Sequence, residues 1–222
     1  MRITISKENY LKAIAEAESE GEVVKPVTLT RWLEVSAPAV TMAIRRLKRD
    51  QLIRVGAEGQ IALTPAGRKI ANRLLHRHHL IERMLTEIFG LEWYKVHEEA
   101  EHLEHAVSAD FERKLAERLG RGHACPHGNE VGLDSPSERR RRGLRLLEEA
   151  RPKERLVVVS VFERDRKFLE YLDRTGIRPG VLLEVIGTIP RMELRADERQ
   201  IRLERRAGAK IWVRAAQATT DQ

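Results

Sequence analysis

The segment from Val96 to His105 places a dense set of histidine and glutamate side chains on a predicted helix. At about 100° per residue, four of them fall within roughly one quadrant of that helix: His97, Glu101, Glu104 and His105. Ionised groups crowded on one stripe repel one another, and a cation relieves that repulsion. The spacing therefore indicates a divalent metal site, whereas the simplest alternative is a solvated charged surface.

A second predicted helix, from Leu74 to Phe89, favours the metal interpretation. His78 and Glu82 lie four residues apart in the middle of its apolar stripe, and an unpaired buried carboxylate is costly. Two helices with complementary ligands make a metal site the preferred interpretation. The predicted stripe consists of Leu74, Ile81, Leu85, Ile88 and Phe89.

The composition of the 222-residue chain sets its class. A hydrophobic content of 41% is enough for two or three packed domains, and a formal charge of +7 favours an anionic partner such as nucleic acid. One cysteine, Cys125, excludes an intrachain disulfide and fits a reducing cytoplasm. Neither a signal peptide nor a membrane span is predicted, so we expect a cytoplasmic protein.

The N-terminal part has the pattern of a helix-turn-helix. Ser6 is the predicted N-cap of a first helix that ends at Gly21, with Asn9 in its first turn. A short helix from Thr28 to Leu33 follows, and then a longer one from Ala37 to about Asp50 with Ser36 as its predicted N-cap.

The longer helix is amphipathic, with Val40, Ile44 and Leu47 on the predicted buried face. Arginines on its outward face suit phosphates or base edges, and Thr41 and Met42 suit a thymine methyl group. The candidate DNA-binding residues are Ser36, Pro38, Thr41, Met42, Arg45, Arg46 and Arg49.

A predicted β-hairpin follows, formed by Leu52 to Val55 and Gln60 to Leu63 around a glycine-containing turn. Helix-turn-helix and hairpin together predict a winged helix. The alternative is a small structural helical domain without a nucleic-acid partner.

After the winged helix come Arg77 to Arg83 and Val96 to Ser108, and this order of motifs resembles the diphtheria toxin repressor family of metal-dependent transcriptional repressors. It also resembles the manganese transport regulator branch of that family, and the resemblance covers essentially the whole chain. It implies a homodimer, ordered by iron(II) or manganese(II), whose paired recognition helices enter a double-stranded DNA operator.

The resemblance also implies two groups of metal ligands. One group is His78, Glu82 and His97, and the other is Glu101, Glu104 and His105, with Asn9 at the position of a first-helix ligand.

Three positions bear on the metal. Iron-responsive members carry cysteine where this chain has Glu101, and replacing a soft ligand by a hard oxygen favours manganese(II), with iron(II) as the alternative. Asn9 stands in place of the relatives' methionine or aspartate. Lys12 stands where the short manganese regulators have glutamate, so we do not expect their two-metal cluster unchanged.

From Gly120 to Pro136 the chain is rich in glycine and proline, which indicates a connecting segment. Cys125 and His127 lie in it, but a single Cys-x-His without a second pair is a weak metal signal, and a structured linker is the preferred interpretation. Ser137 opens a predicted helix with an arginine block that suits DNA, an acidic surface or solvent.

Short predicted strands after Arg155 indicate a small β-barrel that resembles the SH3-like domain of longer family members. Some relatives donate two metal ligands from this domain. The matching positions here are Arg164 and Lys167, which cannot ligate when charged, and Glu163 or Asp165 is the possible substitute.

The predicted fold class is mainly α with small β parts. The expected domains are a winged helix (1–72), a helical metal-binding and dimerisation domain (73–122), a linker with a basic helix (123–152) and an SH3-like, iron-transport-A-like barrel (153–222). The predicted function is a manganese-responsive repressor of metal-uptake genes.

Two alternatives come from other classes. A metalloenzyme is disfavoured, because His97 and His102 are five residues apart and point about 140° from each other, unlike a zinc-protease pair. The other alternative is a metal-independent winged-helix protein, whose DNA binding would survive a chelator.

Overall fold

The computed structural model describes residues 4–120, 124–130 and 135–216. Contacts divide the chain into two compact units. Unit 1 comprises Met1–Ile81, Glu101–Arg121 and Glu130–Glu138, and unit 2 comprises Glu82–Ala100, Gly122–Asn129 and Arg139–Gln222. Each unit collects segments that are distant in the sequence, so the four contiguous domain ranges stay a prediction.

Unit 1 begins with helix α1 (Ile5–Ser19), whose predicted start at Ser6 is wrong by two residues. Thr4 is the N-cap, because its side chain accepts a hydrogen bond from the backbone amide of Lys7. The apolar face of α1 is buried in the core of unit 1: Tyr10, Leu11, Ile14 and Ala17.

Helices α2 (Pro26–Leu33) and α3 (Ala37–Arg49) form the helix-turn-helix. Glu34 adopts the left-handed conformation between them, with φ of 52°. Ser36 is the N-cap of α3, and its side chain accepts a hydrogen bond from the Ala39 amide. The predicted position and cap of α3 are confirmed, and this helix contacts both α1 and α2.

The predicted hairpin is also present. Strands β1 (Ile53–Val55) and β2 (Ile61–Leu63) are antiparallel, with Val55 opposite Ile61. Ile53 and Ile61 are buried, so the hairpin is attached to the core of unit 1 through one face. The winged-helix prediction is confirmed.

Two helices carry the histidine- and glutamate-rich motifs, α4 (Pro65–Arg83) and α5 (Val96–Leu103), and α6 (Ala109–Leu119) follows them. The chain continues from α4 through a π-helical turn, Met84–Ile88. A π turn changes the periodicity of a helix. For that reason the predicted stripe is right for Leu85, which is buried, and wrong for Ile88 and Phe89, which are 50% and 65% exposed.

Unit 2 contains a six-stranded antiparallel sheet in the order β3-β8-β4-β5-β6-β7. A short helix, α7 (Pro136–Arg141), precedes the sheet, and α8 (Arg166–Thr175) and α9 (Arg205–Gly208) lie between strands. The strands are β3 (Arg145–Leu146), β4 (Arg155–Val161), β5 (Leu182–Gly187), β6 (Met192–Ala196), β7 (Arg199–Leu203) and β8 (Ile211–Ala215).

The arginine block of α7 has structural contacts within unit 2. The guanidinium group of Arg139 lies 5.1 Å from the ring centroid of Trp212, and Arg139 is buried. Arg140 donates two hydrogen bonds to the carboxylate of Glu149, at 3.0 and 2.6 Å. Both arginines therefore contact other residues of unit 2, and the prediction that solvent alone surrounds this helix is wrong for these two residues.

None of the helices within the described ranges is long and apolar enough to cross a membrane.

Candidate metal centres and nucleic-acid interface

The outward face of α3 is exposed, as predicted, while Val40 and Leu47 are buried and Ile44 is half-buried. One of its polar groups forms a hydrogen bond within the helix, since the Thr41 hydroxyl donates to the Ala37 carbonyl. The exposed candidate DNA-binding residues are Ser36, Pro38, Thr41, Met42, Arg45, Arg46 and Arg49.

The arginines of this face differ in their contacts. Arg49 forms an ion pair with Asp50 at 3.2 Å. Within the described part of the chain, Arg45 and Arg46 have no carboxylate partner within salt-bridge distance. A cationic helix face without internal neutralisation is suited to contact a phosphate backbone.

A cluster of polar side chains in unit 1, with Lys12 and Glu104 buried at its centre, joins α1 to the end of α5. We call it the Lys12 cluster, and it consists of Asn9, Lys12, Glu101, Glu104 and His105. The ammonium nitrogen of Lys12 lies 2.9 Å from Oε2 of Glu104 and 3.8 Å from Oε1 of Glu101. Nε2 of His105 lies 2.7 Å from the amide oxygen of Asn9 and 3.5 Å from Oε1 of Glu104.

Both central charges of the Lys12 cluster are stabilised. Burial opposes the charged form of Lys12, but Glu16, Glu104 and Glu101 outweigh burial and raise its pKa. Burial likewise opposes the ionised form of Glu104, but His78 and Lys12 outweigh it and lower the pKa of Glu104. The chain thus supplies a cation to its own carboxylates.

The predicted single stripe on one helix is wrong. Helix α5 ends at Leu103, and Glu104 and His105 lie in the turn that follows, where the Ala106 amide bonds the Leu103 carbonyl. Arg77 holds this turn, since it donates a hydrogen bond to the backbone oxygen of Glu104 at 3.1 Å. The turn directs Glu104 and His105 to α1 in unit 1, whereas His97 belongs to unit 2.

His78 has contacts with the Lys12 cluster. Its Nδ1 atom lies 2.7 Å from Oε2 of Glu104 and 3.0 Å from the ammonium of Lys12. His78 and Glu82 are one turn apart on α4, and both are fully buried.

A second buried cluster lies wholly in unit 2. We call it the Cys125 cluster, and it consists of Glu82, His97, Cys125, His127 and Glu163. Nδ1 of His97 lies 3.2 Å from Glu82 and 3.7 Å from Glu163. Nδ1 of His127 lies 3.5 Å from each of the same two carboxylates, and the Cys125 sulfur lies 3.3 Å from Glu163.

In the Cys125 cluster a histidine, and not a lysine, is the cation that balances the carboxylates. Burial opposes protonation of His127, but the carboxylates of Glu82 and Glu163 outweigh it and raise the pKa of His127 to about 10. Burial and the same two carboxylates hold the pKa of the Cys125 thiol well above its usual value. The donors of both clusters fit a divalent cation, since carboxylate, amide oxygen, imidazole and thiolate are all established metal ligands.

Sequence reasoning missed part of this arrangement. Glu163 was one of two possible C-terminal ligands, and the structure brings it to Glu82 and His97. Asp165, the other, caps α8 and forms an ion pair with Lys210 at 2.7 Å. Cys125 and His127 had only a weak signal, because their neighbours in space are distant in sequence.

The chain matches three family models: the iron dependent repressor N-terminal DNA binding domain over residues 2–59, the iron dependent repressor metal binding and dimerisation domain over residues 64–131, and the FeoA domain over residues 145–215.

Individual proteins are similar to this chain over more than half of its length. The diphtheria toxin repressor of Corynebacterium efficiens is 34% identical over 190 residues, which are 81% of this chain and 82% of that protein. The iron-dependent repressor IdeR of Mycobacterium tuberculosis is 36% identical over 124 residues, which are 56% of this chain and 54% of that protein. The solved structure of a manganese-dependent transcriptional repressor in complex with manganese is 28% identical, covers 95% of this chain and 100% of that chain, and has a TM-score of 0.84.

A winged helix, a helical domain with buried histidine and glutamate side chains and a small C-terminal sheet are the architecture of a metal-dependent transcriptional regulator. The chain belongs to the diphtheria toxin repressor family of metal-dependent repressors. DNA, a divalent metal ion and dimerisation are therefore part of its function, while relatives named for iron and for manganese leave the ion undecided.

Proposed function

We propose that this protein is a manganese-responsive repressor that binds a pseudo-palindromic operator of metal-uptake genes as a homodimer in the cytoplasm. The observation that supports it is the Lys12 cluster, which places oxygen and imidazole donors between α1 and α5 in the unit that also carries the exposed cationic face of α3. Iron(II) is the alternative ion.

The proposed ligands form two groups. Asn9, Glu101, Glu104 and His105 form one, and three of these four offer a hard oxygen, which favours manganese(II). Glu82 and His97 belong to the other, together with His78 from the preceding turn of α4. We propose no enzymatic activity.

The proposed mechanism couples ligand geometry to the helix-turn-helix. A bound divalent cation supplies positive charge to Glu101 and Glu104. Asn9 lies on α1, and α1 packs against α2 and α3, so the position of Asn9 affects the orientation of the recognition helix. Metal affinity and operator affinity are then linked by one coupling free energy.

The first experiment measures binding to promoter fragments from the protein's own genome at fixed salt, with chelator, manganese(II), iron(II) and zinc(II) in turn. We expect tight binding with manganese(II) and weak binding with chelator. Fixed salt is required because phosphate contacts make affinity strongly salt-dependent. Binding unchanged by chelator would contradict the metal-responsive mechanism and favour a metal-independent DNA-binding protein.

Arg45→Ala tests the DNA-binding face in the same assay. We expect weaker binding and a salt slope reduced by about 1, because one phosphate contact is lost. Arg195→Ala is the matched control, since Arg195 is 49% exposed and pairs with Glu184 in unit 2. Equal effects of the two variants would contradict the assignment of α3.

The homodimer is tested by sedimentation at micromolar concentration with manganese(II). Exposed apolar side chains on or beside the metal-binding helices suit such a contact: Ile88, Phe89, Leu103 and Phe111. A monomer that still binds operator would contradict this part of the proposal.

A further inference from the structure

A cavity of about 800 Å³ lies beside α8 in unit 2. Phe168 and Tyr171 of α8 and Ala207 of α9 form its apolar lining, and the other side chains that line it are charged. We call this cavity the α8 pocket. Its volume and its aromatic residues are typical of sites that bind small organic molecules.

The aromatic side of the α8 pocket is fixed in place and uncharged. Phe168 is buried, and the half-buried Tyr171 donates a hydrogen bond from its hydroxyl to the backbone oxygen of Arg202 at 2.6 Å. Burial and the carboxylate of Glu204 outweigh Arg191 and raise the pKa of Tyr171, so the phenol stays neutral at physiological pH. Two such rings suit the flat face of an aromatic ligand.

Most of the charge around the α8 pocket is balanced within the protein. Four cations line it, and three of them have a carboxylate within salt-bridge distance. These pairs are Arg191 with Glu204 at 2.8 Å, Arg202 with Glu193 at 3.7 Å, and Lys210 with Asp165 at 2.7 Å. Glu204, the single acidic residue of the lining, is thus neutralised by Arg191.

The fourth cation is Arg206, an exposed residue of α9. Among the residues that the structure describes, no carboxylate lies within salt-bridge distance of its guanidinium group. The α8 pocket therefore keeps one positive charge that the protein does not balance. A guanidinium group presents paired N–H donors that match the two oxygens of a carboxylate.

We propose that the α8 pocket binds an aromatic monocarboxylate, with its ring against Phe168 and Tyr171 and its carboxylate on Arg206. One unbalanced cation matches one negative charge, whereas a phosphate monoester would bring two. The inference goes beyond the proposed function and does not rest on it, since none of the described lining residues belongs to the Lys12 cluster or the Cys125 cluster.

Equilibrium dialysis of the chelator-treated full-length protein tests this site. Three fluorescent probes share one ring system and differ in charge: naphthoate, naphthylmethanol and naphthyl phosphate. The chelator ensures that no metal ion carries the carboxylate to the protein. We expect naphthoate to bind at one equivalent and the neutral alcohol to bind about tenfold more weakly, because it lacks the charged hydrogen bonds to Arg206. Naphthyl phosphate should bind no more tightly than naphthoate.

Variants then locate the site. Arg206→Gln removes the charge at an exposed position and should weaken naphthoate about tenfold while naphthylmethanol is unchanged. Arg205→Gln is the matched control, because Arg205 is an exposed arginine of the same helix that does not line the pocket. Ala207→Phe places a ring in the apolar lining and should weaken both probes.

Four results would overturn the inference: no saturable binding of naphthoate at millimolar concentration, equal affinity for naphthoate and naphthylmethanol, tighter binding of naphthyl phosphate, or equal effects of Arg206→Gln and Arg205→Gln. Because neither metal nor DNA is present, each result leaves the repressor proposal as it stands.

Discussion

The Lys12 cluster and the Cys125 cluster both contain buried acidic and basic side chains, but different cations balance their charge. In the Lys12 cluster the cation is a covalently attached ammonium, 2.9 Å from Glu104. In the Cys125 cluster a proton on His127, whose pKa is raised to about 10, has that role.

Because of this difference, the two clusters of candidate metal ligands would select metal ions in different ways. A metal ion that enters the Lys12 cluster competes with an ammonium group that cannot leave the molecule. A metal ion that enters the Cys125 cluster replaces protons, which can leave. Hard oxygen donors dominate the first cluster, and a sulfur and two imidazoles contribute to the second.

The largest effect is expected from Glu104→Gln. The substitution leaves the ammonium of Lys12 buried without its nearest carboxylate, and breaking a buried pair in this way costs about 3–5 kcal/mol. The free energy of unfolding, measured by urea denaturation in chelator, checks it. The control is Glu117→Gln, because Glu117 is 52% exposed and its pairs with Arg113 and Lys114 are worth less than about 1 kcal/mol.

A double substitution tests whether the unpaired ammonium of Lys12 causes this loss of stability. If the loss comes from the stranded ammonium, Glu104→Gln combined with Lys12→Met should be more stable than Glu104→Gln alone. A double variant that is less stable than the single one would show that the Lys12 cluster is not organised around this pair.

The next effect is expected from Gly128→Ala in the Cys125 cluster. Gly128 has φ of 83°, and the added Cβ would lie 2.0 Å from the backbone oxygen of Val159, so the loop must move. We expect the free energy of unfolding, measured by the same urea denaturation, to fall by about 2–3 kcal/mol. Gly143→Ala is the matched control, because Gly143 has φ of 78° and, apart from its chain neighbours, no heavy atom of the described residues lies within 4 Å of the added Cβ. It should cost about 1 kcal/mol. Equal losses would show that the close approach does not fix the loop.

A smaller effect is expected from Lys12→Met, and it is a gain in manganese(II) binding. Removal of the competing ammonium should strengthen manganese(II) binding about tenfold, or 1.4 kcal/mol. Electron paramagnetic resonance titration of free manganese(II) measures this. Lys114→Met, at a 69% exposed position, should change nothing. Unchanged or weaker binding in Lys12→Met would mean that the ammonium supports the metal site instead of competing with it.

The smallest effect is expected from Glu101→Cys. Glu101 is 39% exposed at the edge of the Lys12 cluster, and a thiolate there should shift the ratio of iron(II) to manganese(II) affinity a few-fold toward iron(II). Glu99→Cys adds a thiol at an exposed position on the same helix and is the control. An identical ratio in both variants would remove Glu101 from the selectivity.

The fold was largely predictable because its signals are local. The cap at Ser36, the spacing of Val40 and Leu47 and the glycine turn before β2 lie within a few residues of the structure they specify. Failures occurred where a local irregularity changed the period, as at the π turn after α4, or where a helix ended early, as α5 does at Leu103.

The candidate sites were less predictable, because their neighbours are far apart in the chain. Lys12 and Glu104 are separated by 92 positions, and Cys125 and Glu163 by 38. No sequence periodicity links such residues. The surroundings of the Cys-x-His sequence became visible only in the structure, where the loop before Asn129 lies beside Glu163, which follows β4.

The ammonium of Lys12 has a consequence for sensing. A metal-dependent repressor must remain off at ordinary ion concentrations and respond only above a threshold. A fixed internal competitor raises the free ion concentration at which half of the molecules are loaded, and it does so without changing a ligand. Variation at this one position of α1 would then tune the set point of the sensor to the metal supply of a habitat.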